Sequence, residues 1–224
     1  MTPTDGIIGI DISEHQDPAR VSWVTLAPAF MFARAAFGVG PDKVFAEHVR
    51  RARINGVPVI GAYHAIRPFR PVVDQVDVME RQMDAAGGCI VPAVDVEIMD
   101  GQTPQRVADV ALEYVERIEA RRGVRCVFYT YPWFIIGKVN LSADLAARPL
   151  WIAHYPKPGG TIKRPLVPKP WEDWTIWQYD GDKGRRDPTG MDLDFNVYRG
   201  TVEQLRAELL RPLVSKCSET PNGC

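Results

Sequence analysis

The chain has 224 residues, with 27 Lys and Arg against 28 Asp and Glu and a formal net charge of −1. That length suits one large domain, and the balanced charge speaks against nucleic acid or an anionic membrane as the main partner. No apolar stretch approaches the roughly 20 residues of a membrane span.

Taken in chain order, residues 7–12, 30–36, 58–65, 90–97 and 126–131 read as strands with amphipathic stretches between them. Val72, Val76, Met79 and Met83 share one helical face, as do Val107, Val110, Ala111, Tyr114 and Ile118. The second helix carries Thr103 as N-cap, Pro104 in its first turn and Gly123 just past its end. Strands alternating with such helices imply right-handed βαβ units and a parallel sheet. After about residue 148 the rhythm changes. Residues 149–155, 175–180 and 192–198 read as strands, but the link 156–170 holds Pro156, Pro158, Pro165, Pro168 and Pro170, which excludes a regular helix. A last helix starts at Thr201, with Gln204 completing a capping box. The expectation is a single α/β domain. It is an irregular TIM-like (β/α) barrel over residues 1–210, its helices mainly between the first five strands and its last three strands joined by loops. Residues 211–224 form a tail.

Cysteines add little. Cys89 and Cys126, at strand starts, read as small buried hydrophobes. Cys217 and Cys224 close the tail as free thiols or as a local disulfide. No Cys/His spacing resembles a zinc site, and no cofactor is called for. Residues 1–6 lack the basic and apolar regions of a signal peptide, so the chain is expected to be made in the cytoplasm without one, or with its signal removed.

In barrels of this kind functional groups gather at the carboxyl ends of the strands. Those ends read Asp11 through Gln16, Tyr63-His64, Asp95-Val96-Glu97, Tyr129-Thr130-Tyr131, Trp151 through Tyr155, and Trp177-Gln178-Tyr179, with Asp192-Leu193-Asp194 on the last strand. Asp95 and Glu97 are the sharpest feature. Two residues apart on a strand, they share a face. Like charges held close in low dielectric force one carboxyl to keep its proton, which is what general-acid chemistry needs. Aromatics with polar edges around several acids, without a phosphate-cradling glycine loop or a Gly-x-Ser-x-Gly elbow, suit a carbohydrate.

These residues resemble the glycoside hydrolase family 25 muramidases, the Chalaropsis-type lysozymes. The resemblance runs through Gly9-Ile10-Asp11-Ile12-Ser13 with His15-Gln16 and Trp23, Gly61-Ala62-Tyr63-His64, Asp95-Val96-Glu97, Trp151-Ile152-Ala153, Trp177-Gln178-Tyr179 and Asp194-Phe195-Asn196-Val197-Tyr198. It implies hydrolysis of the β-1,4 bond between N-acetylmuramic acid and N-acetylglucosamine in bacterial peptidoglycan by a monomeric enzyme. By position it makes Glu97 the general acid, Asp95 its partner, and Asp11 and Asp194 further acids of the groove. Tyr63, Tyr129, Trp151, Trp177 and Tyr179 become the sugar-contacting aromatics. A catalytic domain without a signal peptide is also similar to many phage endolysins, which act on the host cell wall through a separate membrane pore. Two other readings stay open. One is a non-catalytic peptidoglycan-binding module. The other is a metal-dependent barrel hydrolase using Asp11, Asp95, His64 and His154.

Overall fold

The computed structural model describes residues 6–156, 162–181 and 190–213. The prolines Pro156, Pro165, Pro168 and Pro170 lie within them, whereas Pro158, Cys217 and Cys224 fall outside the described residues. Nine strands form one sheet: β1 (Ile7–Ile12), β2 (Phe30–Phe37), β3 (Gly40–Pro41), β4 (Val59–Ala65), β5 (Val91–Asp95), β6 (Val127–Thr130), β7 (Leu150–Ala153), β8 (Ile176–Asp180) and β9 (Asp194–Tyr198). The order is β1-β9-β8-β7-β6-β5-β4-β2-β3, and β1 also pairs with β2. That extra pairing closes eight strands into a barrel and leaves the two-residue β3 outside the ring. The pairings around the barrel are parallel except those of β9, which runs antiparallel to both β8 and β1. The expected irregular barrel is therefore the observed architecture, and after residue 148 no helix connects β7 to β8 or β8 to β9 among the described residues.

Six helices accompany the strands: α1 (Trp23–Leu26), α2 (Phe45–Ile54), α3 (Val72–Ala86), α4 (Pro104–Arg122), α5 (Pro132–Ile135) and α6 (Val202–Leu209). The caps of α4 are those its sequence predicts. Thr103 Oγ1 accepts from the Arg106 amide at 3.2 Å, Pro104 opens the helix, and Gly123 closes it in the left-handed conformation at φ +68°. Thr201 and Gln204 form a reciprocal capping box that starts α6.

Strand alternation sorts the side chains into two cores. Ile10, Ile12, Met31, Ala33, Val94, Phe128 and Ile152 point outward, into an apolar layer shared with α2, α3 and α4. Phe30, Phe32, Val59, Val91, Val127, Trp151 and Ile176 fill the barrel, and Leu205 and Leu209 of α6 pack with them as a plug near the amino ends of the parallel strands. Room for the two phenylalanines comes from Gly9 and Gly61. A Cβ at either would come within 2.3 Å of the Phe30 or Phe32 ring. With its lower half packed by apolar groups, the barrel leaves only its opposite mouth for polar side chains.

Two sequence expectations need correction. Cys89 is disulfide-bonded rather than a buried free thiol, whereas Cys126 is free and buried. The strand predicted over residues 90–97 ends at Asp95, so Glu97 stands two residues beyond it. There the chain swings away from the ladder, and the Val96 amide still reaches the Tyr129 carbonyl at 3.0 Å.

Candidate active site

The mouth of the barrel is built by the last inward-facing residue of each strand. Asp11 of β1 lies in register with Asp194, the first residue of β9. Because β9 is antiparallel, its start sits at the same end as the carboxyl ends of its neighbours. Asp95 ends β5, between Ala65 of β4 and Tyr129 of β6 in the ladder. Its backbone is tied on both sides, since the Ile66 amide donates to the Asp95 carbonyl at 3.1 Å and Thr130 Oγ1 to the Val96 carbonyl at 2.8 Å. Glu97 follows from this anchored segment and is half-buried.

Asp11 and Asp95 are both buried but differ in what surrounds them. Asp11 Oδ2 accepts from Gln178 Nε2 at 2.7 Å and from Asn196 Nδ2 at 2.8 Å. Burial drives its pKa up to about 6, against the lowering effect of those two bonds. Asp95 Oδ1 is buried with no hydrogen-bond partner. Burial, then the charges of Glu97 and Asp11, push its pKa well above the carboxylate range, with Arg34 opposing. Arg34 of β2 is held elsewhere, donating to Glu14 at 2.8 Å and to Asp42 at 3.1 Å. It therefore offsets the acids at the mouth only in part.

The aromatics divide by face. Trp151 is buried at the floor, its ring centroid 4.7 Å from that of Tyr129, 4.8 Å from Phe32 and 6.0 Å from Tyr63. At 1% exposure it supports the tyrosines above it and offers no free face to a ligand. Tyr63 and Tyr129 are half-buried at the mouth. Burial raises the pKa of both, and next in weight come the Asp11 carboxylate for Tyr63 and Tyr155 for Tyr129. Trp177 and Tyr179 do not join them. They face outward on β8 into the outer core, packed edge-to-face with centroids 6.1 Å apart, and Trp177 Nε1 donates to the His154 carbonyl at 2.8 Å. The inward residue of that triplet is Gln178.

Sequence reasoning missed Gln178, Arg34 and Tyr155, and gave Asn196 no role of its own. Strand period narrows the inward choice to Gln178 or to the pair Trp177 and Tyr179, since only one face of β8 looks into the barrel, but it does not say which. Gln178 Oε1 accepts from the hydroxyls of Tyr129 at 2.9 Å and Tyr155 at 2.7 Å, while its Nε2 faces Asp11 and, at 3.4 Å, Asp194. The histidines stay apart from the acids. His64 points outward, between Tyr114 Oη at 2.9 Å and the Gly38 carbonyl at 2.7 Å, and His154 Nδ1 accepts from the Leu166 amide. The reading that joins both to Asp11 and Asp95 around a metal thus meets a barrel wall between His64 and the acids.

The arrangement supplies what an acid-catalysed hydrolysis of a polar substrate needs. It has one buried carboxyl whose proton affinity burial raises, a half-buried carboxyl two residues on, a hydrogen-bonded acid on β1, and tyrosine hydroxyls at the same mouth.

Comparison with known proteins agrees with the fold. The profile of the glycosyl hydrolases family 25 matches residues 10–187. The chain is 27% identical to Lysozyme M1 of Streptomyces globisporus over 222 residues, covering 91% of this chain and 71% of that protein. It is 28% identical over 227 residues to the uncharacterized protein YegX of Escherichia coli K12, covering 96% of this chain and 76% of that one. Among solved structures it resembles the bacterial lysozyme of Streptomyces coelicolor, with a TM-score of 0.75, 26% identity, and 92% and 98% of the two chains covered.

Proposed function

The chain belongs to the glycosyl hydrolases of family 25, and from that membership we propose that it is a lysozyme that cleaves the β-1,4 bond between N-acetylmuramic acid and N-acetylglucosamine in bacterial peptidoglycan. The observation that carries the reading is the unequal pair at the end of β5, with Asp95 buried and unpartnered at Oδ1 and Glu97 half-buried two residues beyond the strand. A binding module has no use for a buried acid held at such cost. Relatives named as lysozymes support the same substrate.

In the proposed mechanism Glu97 gives its proton to the glycosidic oxygen as the bond to the anomeric carbon breaks. The carbonyl oxygen of the substrate's own 2-acetamido group attacks that carbon, and Asp95 steadies the acetamido group as charge develops. Water then opens the cyclic intermediate, giving its proton to the Glu97 carboxylate, so the product keeps its anomeric configuration. Tyr63 and Tyr129 offer hydroxyls and ring edges to the sugars, and Asp11 and Asp194 line the far side. Peptidoglycan is the partner, and the chain acts as a monomer on the cell wall.

The test is digestion of purified peptidoglycan by the wild type and by Glu97→Gln, with mass spectrometry of the soluble products. Muropeptides ending in reducing N-acetylmuramic acid, released by the wild type and reduced at least about a hundredfold in the variant, are expected. Reducing N-acetylglucosamine ends would refute the bond assignment. Near-normal release by Glu97→Gln would refute the role of Glu97, and no release by a folded wild type would refute the enzyme reading. An NMR reading of the first-formed anomer checks retention.

A further inference from the structure

Burial and mutual repulsion work against ionising Asp11 and Asp95 together. Near Asp11 lie Tyr63 from β4, Asp95 from β5, Tyr129 from β6 and Asp194 from β9, and next to one or another of these are Arg34 from β2, Glu97 just beyond β5 and Tyr155 beyond β7. Among the described residues near these acids Arg34 is the cation, and it is already engaged by Glu14 and Asp42.

Hydrogen-bond direction decides where the charge rests. Trp151 Nε1–H can only donate, and it meets Asn196 Oδ1 at 2.7 Å. That contact turns the Asn196 amide so that Nδ2–H faces Asp11 Oδ2 at 2.8 Å. Gln178 is turned the same way. With Tyr129 and Tyr155 on its Oε1, its Nε2–H meets Asp11 Oδ2 at 2.7 Å. The opposite orientation would set an amide oxygen against the carboxylate oxygens of Asp11 and Asp194. Asp11 Oδ2 thus receives two aligned donors, while Asp95 Oδ1, equally buried, receives none. Donors on the charged form favour it, and their absence disfavours it.

We propose that Gln178 and Asn196 are positioning residues that keep the negative charge of the cluster on Asp11 and so leave its proton to the Asp95–Glu97 pair. Trp151 acts one step further out by fixing which way the Asn196 amide points, and the Tyr129 and Tyr155 hydroxyls supply the donors that Gln178 Oε1 accepts. The clamp gives β8 and β9 a part in the chemistry although neither supplies the acid. It also gives buried Trp151 a task beyond packing. The inference deepens the muramidase reading and rests on it for its activity readout only.

The experiment uses three variants. Asn196→Asp keeps the acceptor for Trp151 and loses the donor to Asp11. Gln178→Glu does the same for Tyr129 and Tyr155, and Gln178→Met removes the donor without adding charge. Carbon-13 NMR of labelled Asp carboxyls reads the titration of Asp11 in folded protein. The wild-type midpoint is expected at about 6, and each variant is expected to raise it by about one pH unit or more. The acid limb of kcat/KM on peptidoglycan should move up with it. One pH unit below the wild-type limb, activity should then fall about tenfold beyond the loss at the optimum, with kcat changing more than KM. An Asp11 midpoint unchanged in all three variants would overturn the proposal, as would a kcat loss equal at every pH. If the wild type does not cleave peptidoglycan, the muramidase reading fails, and the NMR midpoints alone decide the clamp.

Discussion

His64 ties the pH dependence of folding to a single hydrogen-bonded ring. It lies on β4 beside Tyr63, pointing the opposite way, and is fully buried. The Gly38 carbonyl can only accept, so His64 Nε2 carries the proton and Nδ1 accepts from Tyr114. A second proton would turn Nδ1 from acceptor to donor, force the Tyr114 hydroxyl to accept instead, and leave a charge in the apolar layer. Burial accordingly lowers the pKa from 6.5 to about 4, with the Gly38 bond opposing. Above pH 6.5 the ring is neutral in folded and unfolded chains alike, and its contribution to stability is complete. As pH falls from 6.5 to 4, the unfolded chain takes up a proton that the folded one refuses. At 1.36 kcal/mol per tenfold difference in proton affinity, the fold loses about 3 kcal/mol across that window and no more below it. The assay is urea denaturation of the wild type and of His64→Gln at pH 7 and pH 4. Gln can reach both partners and does not titrate. Other shifted groups, among them His48 and His154 in the same sense and Asp11, Asp95 and Glu80 in the opposite one, are common to both chains and cancel in the difference. The wild type should lose about 3 kcal/mol more than the variant on acidification. Loss in parallel, within about 1 kcal/mol, would refute the reasoning.

Three further outcomes are expected. Asp95→Asn removes a buried acid whose ionisation the fold resists, so at pH 8 the variant should be more stable than the wild type by about 1 kcal/mol or more, while peptidoglycan release collapses. A less stable, active variant would contradict both roles. Gly61→Ala places a Cβ 2.2 Å from the Phe32 ring, and urea melts should show a cost of about 1–3 kcal/mol, with no cost if the barrel interior yields freely. Thr201→Ala removes the reciprocal cap of α6 and should cost about 1 kcal/mol by the same assay, since that helix plugs the barrel end opposite the acids.

Most of the fold was legible because its signals are local. Alternation marked the eight barrel strands, and Thr103, Pro104, Gly123, Thr201 and Gln204 marked helix ends by backbone chemistry that tertiary context does not change. What stayed hidden depends on neighbours distant in sequence. The triplet Trp177-Gln178-Tyr179 gives its alternation but not which face is inside. Aromatics suggest a sugar platform, yet α6 and the barrel phenylalanines already fill the interior below, and the inward residue of the triplet is Gln178, which bonds Asp11 at the mouth. The short α2, with three arginines and no cap signal, gave no comparable mark. The disulfide at Cys89 joins groups whose proximity no spacing rule encodes.

The spacing of Asp95 and Glu97 was read as two acids sharing one face of a strand. The structure gives them different surroundings instead. Strand alternation aims Asp95 into the barrel, where the parallel neighbours β4 and β6 cover it. The ladder then ends, and the two bonds at Val96 hold the departing backbone against β6, so Glu97 emerges at the rim half-buried. A longer strand would bury both carboxyls and make their repulsion a burden on folding alone. A shorter one would leave both in water with ordinary proton affinities. Ending the strand between them yields two carboxyls in unlike environments, which is how one pair of acids can divide two tasks. The same logic extends across the mouth. Asp11, as buried as Asp95, is kept apart from it in character by the two amides on its Oδ2. On this account the chemistry of the site depends less on how many acids it holds than on which of them the backbone and the amides allow to be charged.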